Sequence, residues 1–71
     1  SMHVTITSTQ NPKIKSVLAL EKPRERRKQG LFVVEGRKEI GLALKAGYKI
    51  DNLFYCQEII SFNEAEQYVQ H

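Results

Sequence analysis

Four consecutive apolar residues, Leu31-Phe32-Val33-Val34, stand between Gly30 and the pair Glu35-Gly36. A run so short and so closely bounded is the pattern of a strand buried on both faces, as in an α/β layer. Leu53-Phe54-Tyr55-Cys56 repeats it. Between the two, Ile40, Ala43, Leu44 and Gly47 fall at i, i+3, i+4 and i+7. That spacing predicts a helix over about 36–46 with Gly47 as its terminating glycine. Strands joined by a helix of this length lie parallel with helices on the sheet faces, so the fold class expected is α/β, a small sandwich. Two strands make a poor sheet, and at least one more is expected beyond residue 71 in a longer parent.

The flanking segments read as helices with legible ends. Asn11-Pro12 joins a favoured N-cap to a residue pre-organised for the first helical position. Ile14, Val17, Leu18 and Glu21 continue at helical spacing, Lys13 and Lys15 lie off that stripe, and Pro23 closes the helix near Glu21. Residues 22–30 have no apolar periodicity and read as a solvated loop or a frayed helical turn, with Gly30 supplying the φ needed to enter the first strand. His3 to Thr9 alternates enough for a short edge strand or an extended arm. Ser61-Phe62-Asn63-Glu64 fits a capping box, with Ile60 and Ala65 as a hydrophobic staple and Ala65, Tyr68 and Val69 as the stripe of a last helix.

A chain of 71 residues is at most one domain, and one of this size buries only about 60% of its unfolded surface. A deep catalytic cleft is not expected. Ser1-Met2 reads as an expression scar, leaving 3–71 as the domain. The net charge of +3 conceals an uneven split: residues 1–38 carry nine lysines and arginines against three glutamates, a net +6, while 39–71 carry two lysines against five acids, a net −3. The first half would attract a polyanion. One cysteine, Cys56, excludes a disulfide framework or a multi-cysteine metal site, suits a reducing cytoplasm, and reads as a small buried hydrophobe. No apolar run approaches the roughly 18 residues of a membrane span. His3 and His71 stand beside no nucleophile, and Gly30 and Gly36 form no phosphate-cradling motif, so no catalytic residue is expected in this chain.

The candidate polyanion contacts are Arg24, Arg26, Arg27 and Lys28, with Lys13, Lys15 and Arg37 nearby. Clustered cations gain affinity because each neutralised phosphate releases condensed counterions. No aromatic residue is interleaved among them, which favours backbone and shape contact over stacking on bases. Gln10 and Asn11 could add edge hydrogen bonds, although capping is the ordinary role of Asn11. Gly30, Glu35 and Gly36 are expected to support the patch. The Glu35 carboxylate would accept N–H groups at the positive end of the following helix, or orient Arg37 or a loop arginine toward a ligand.

Taken together, Ile6-Thr7-Ser8, Gln10-Asn11-Pro12-Lys13-Ile14-Lys15, the Arg24-to-Arg27 loop, Gly30-Leu31-Phe32-Val33-Val34-Glu35-Gly36 and Ala43-Leu44-Lys45-Ala46-Gly47 resemble the N-terminal substrate-binding domain of SpoU (TrmH-like) RNA 2′-O-ribose methyltransferases. The resemblance covers roughly residues 4–56. It implies a small α/β/α sandwich similar to RNA-binding ribosomal proteins, incomplete in this fragment, which presents structured rRNA or tRNA to a following methyltransferase domain. It also implies a homodimeric parent. S-adenosylmethionine would bind that missing catalytic domain, and no cofactor is expected here. A protein-interaction or dimerisation module, docking on an acidic partner or on its own methyltransferase domain, is the alternative.

Overall fold

The chain contains four short helices and, among the described residues, no strand; a computed structural model describes residues 5–69. They are α1 (Pro12–Ala19), α2 (Pro23–Gln29), α3 (Arg37–Lys45) and α4 (Phe62–Val69). The described residues divide into two compact units, 5–33 with α1 and α2, and 34–69 with α3 and α4.

In the first unit, α1 starts as the sequence predicts. Pro12 occupies the first turn, and the Asn11 side-chain oxygen accepts the Lys13 N–H at 2.9 Å. Ile14 and Val17 are half-buried, and Leu20, just past the helix, is the buried hydrophobe among the described residues of this unit at 6% exposure. Of the two readings of segment 22–30, a solvated loop or a frayed helical turn, the helical one is nearer: Pro23–Gln29 form α2. It has the end signals of a helix without an apolar face: Pro23 in the first turn, Glu25 near the positive end, Arg26, Arg27 and Lys28 near the negative end, and Gly30 in the left-handed region at φ 68°. Gly30 N–H donates to the Arg26 carbonyl at 2.8 Å.

In the second unit, α3 ends in a Schellman motif. Gly47, at φ 92°, donates to the Leu44 carbonyl and Tyr48 to the Ala43 carbonyl, each at 3.1 Å. Ser61 opens α4 by accepting the Glu64 N–H on its hydroxyl at 3.1 Å. Ala65 is fully buried, in the position expected of the staple.

The α/β class, and with it the α/β/α sandwich, is overturned, because neither apolar run enters a ladder among the described residues. A strand is defined by its pairing partner, and apolar character alone specifies only a tendency to be covered. Here that cover is partial. Leu31 and Val34 are half-buried, whereas Phe32 and Val33 are 50% and 45% exposed, so the first run is not buried on both faces. In the second, Leu53 and Tyr55 are half-buried and Phe54 and Cys56 exposed, which also corrects the expectation of a buried cysteine. Residues 5–7 form no strand, and 8–10 form a turn in which Asn11 N–H donates to the Ser8 carbonyl at 3.2 Å. His3 and His71, the residues weighed for catalysis, and Ser1-Met2 lie outside the described residues.

Candidate nucleic-acid interface

With Pro23–Gln29 helical, register sorts the cations. Residues three and four apart share a helix face, so Arg24, Arg27 and Lys28 project together from α2. All three are exposed, and their side chains make no hydrogen bond or ion pair among the described residues. Glu25, the acid within α2, instead accepts a hydrogen bond from the Gln29 amide at 3.3 Å.

Arg26 leaves the helix on another side. One terminal nitrogen of its guanidinium, Nη1, donates to the carbonyls of Leu20 and Glu21, both at 2.9 Å. The C-terminal end of a helix leaves carbonyls without intrahelical partners and carries partial negative charge. α1 has no basic residue in its own last turn, and Arg26 supplies one from α2. At the corner between the helices the Lys22 carbonyl accepts the N–H groups of Glu25 and Arg26 at 3.0 and 3.1 Å.

Lys13 and Lys15 are exposed on α1. Two positions apart, they diverge by about 200° and cannot share a face. Gln10 has an exposed side chain, while its backbone N–H donates to the Ser8 hydroxyl at 3.1 Å. Asn11 spends its side-chain oxygen on the α1 cap. Lys22, which sequence reasoning left out of the cationic set, is exposed immediately before α2. Its place in the same charge-rich segment, one proline ahead of Arg24, was the available signal.

Arg37 stands in the second unit and is already partnered. Its Nε donates to Glu64 Oε2 at 2.6 Å, and its Nη2 donates to Glu64 Oε1 at 3.4 Å and to the Ile59 carbonyl at 3.2 Å. The fork ties the first residue of α3 to α4 and to the turn before it. Hydrogen bonding from Arg37 holds the Glu64 carboxyl below the usual range, with a smaller contribution from the Tyr68 hydroxyl 3.3 Å away, and the same pairing raises the Arg37 guanidinium. Glu64 was readable as a capping-box acid, and nothing in its spacing from Arg37, 27 residues away, marked the pair.

The supporting residues divide likewise. Gly30 and Gly36 both take positive φ, at 68° and 97°. Glu35 is exposed, and the carboxylate set against the start of α3 is that of Glu39, whose Oε1 would lie 2.6 Å from a Cβ added at Gly36. No group of three His, Cys, Asp or Glu able to hold a metal occurs among the described residues, and no helix among them is long and apolar enough to cross a membrane.

A patch of this composition can attract and orient a polyanion. Residues 11–71 match the family model described as the MRM3-like substrate binding domain, a match that takes in all four helices and extends past the 4–56 covered by the motif resemblance. No curated protein and no solved structure matches the chain. The expected kinship with substrate-binding domains of RNA methyltransferases is borne out, and the chain belongs to the MRM3-like substrate binding domain family.

Proposed function

We propose that this chain recognises structured RNA, either rRNA or tRNA, on behalf of an S-adenosylmethionine-dependent 2′-O-ribose methyltransferase, and that α2 carries the main contact. The observation behind this reading is that Arg24, Arg27 and Lys28 share one exposed face without an acidic partner among the described residues. Lys13, Lys15 and Lys22 add positive charge in the same unit. Contact is with phosphates and 2′-hydroxyls, because the cationic segment carries no aromatic platform for bases. Arg26 and Arg37 serve mainly in holding the chain's own elements. A lone cysteine suits action in the reducing cytoplasm.

A salt series with tRNA tests the proposal. About four phosphates neutralised should give log K against log salt a slope near −3. Replacing Arg27 and Lys28 together with alanine should make that slope shallower by about 1.4 to 1.8 and leave helicity unchanged by circular dichroism. A flat salt dependence of the unaltered chain sinks the reading.

Docking on a protein is supported by a different observation, the exposure of Leu42 at 57% and Ile59 at 72%. Competition separates the two. Inorganic polyphosphate displaces a partner held by the cations of α2 and leaves one held by apolar contact in place.

A further inference from the structure

Resting on the reading of α2 as an RNA-binding element, we infer that Arg26 is a positioning residue for that element: by bridging the end of α1 it holds Arg24, Arg27 and Lys28 in joint presentation, and its own charge is not what the RNA uses. α2 is seven residues long, and isolated helices shorter than about 12–15 residues are marginal in water. It has no buried residue with which to anchor itself. Glu25 and Gln29 bond within the helix and do not attach it to anything else. Among the described residues the side-chain attachment of α2 to the end of α1 is the Arg26 bridge, in which Nη1, with two N–H donors, lies 2.9 Å from both Leu20 O and Glu21 O. Leu20 is at the same time the buried hydrophobe among the unit's described residues, so the bridge ends on its best-anchored point. Among the described residues Arg24, Arg27 and Lys28 have no such tether, and their common direction depends on the helix being held.

A bridge of this kind depends on guanidinium geometry, with two donors on one planar nitrogen at the end of a long arm. Lysine keeps the charge but presents it as a compact, mobile ammonium. Arg26→Lys therefore separates charge from placement. The experiment is a salt series of tRNA binding by the whole chain for the unaltered protein, Arg26→Lys and Arg27→Ala, with thermal midpoints and amide hydrogen exchange recorded on each. Arg27→Ala calibrates the loss of one phosphate contact, a slope shallower by about 0.7 to 0.9. For Arg26→Lys the expected result is a slope shallower by more than that at unchanged net charge, together with faster exchange across residues 26–30.

A change confined to the folded fraction would scale affinity alike at every salt concentration and leave the slope in place. An Arg26→Lys slope equal to that of the unaltered chain thus overturns the inference, whether affinity is kept, as for a simple charge contact, or lost uniformly, as for a purely structural role. Should the unaltered chain bind tRNA without salt dependence, the RNA reading fails instead. The exchange data then still decide whether Arg26 holds α2, since unchanged exchange at 26–30 in Arg26→Lys overturns that part independently.

Discussion

Two glycines in one helical segment show how much a single backbone angle decides. Gly36 precedes α3 at φ 97°, a region that a side chain enters only with strain, and an added Cβ would meet Glu39 Oε1 at 2.6 Å. The carboxylate is the far end of a flexible side chain and can turn away, so the backbone angle is the dominant cost. Gly36→Ala should destabilise the chain by about 1–2 kcal/mol in a urea melt. Gly41 lies inside α3, where an added Cβ would meet nothing within 4 Å. Gly41→Ala should stabilise by roughly 0.5–1 kcal/mol, because alanine loses less conformational freedom on entering a helix. Equal effects of the two would contradict this account of the α3 start. The charged residues were harder to separate by sequence. Arg24, Arg26, Arg27 and Arg37 carry the same group, and only helix register and the position of α4 distinguish the cations without a partner among the described residues from those bonded to Leu20, Glu21 and Glu64. Register could be applied to α2 only after it was known to be a helix.

At the scale of elements, ends were more legible than interiors. Asn11-Pro12, Gly47 and Ser61 each mark a boundary through a local hydrogen bond or backbone angle, and such effects act within a few residues of sequence. α2 was left open between a loop and a frayed helical turn because apolar periodicity is silent for a helix with no buried face, although Pro23 and Gly30 signalled both its ends. The two apolar runs misled for the opposite reason, since ladder pairing depends on a distant partner that no short window contains. The Arg37 fork on Glu64 is another distant pairing, and it carries a pH dependence. The Glu64 carboxyl is held below its usual range by the Arg37 hydrogen bonds, so its contribution is present above the unfolded glutamate value of about 4.3 and is lost as pH falls through the lower folded value. Protection of the α4 amides, taken relative to the intrinsic exchange rate at each pH, should fall in that acid window. Glu64→Gln should show the reduced protection already at neutral pH and lose the acid step. An acid step of the same size in Glu64→Gln would assign it to another carboxylate.

For the whole molecule, charge distribution is the more decisive property because the apolar interior is so small. Leu20 and Ala65 are the buried hydrophobes among the described residues, one in each unit, while Leu18, Leu42 and Ile59 remain more than half exposed. Attraction to RNA does not need a larger core, but it does need the charge to be uneven. Residues 1–38 hold net +6 and residues 39–71 net −3. A polyanion is drawn to the first segment and repelled by the second, most strongly at low salt, where screening lengths approach 30 Å near 0.01 M and fall to about 8 Å at physiological strength. Titrating tRNA into the isotopically labelled chain should therefore shift amide resonances mainly across residues 12–30 and leave α4, with Glu64 and Glu66, little changed. Raising salt from 50 to 200 mM should erase most of those shifts at fixed RNA, since a slope near −3 corresponds to a loss of affinity of roughly sixty-fold over that range. Shifts centred instead on Leu42, Phe54 and Ile59, and persistent at the higher salt, would identify apolar contact as the source of binding and pass the leading role from α2 to the second unit.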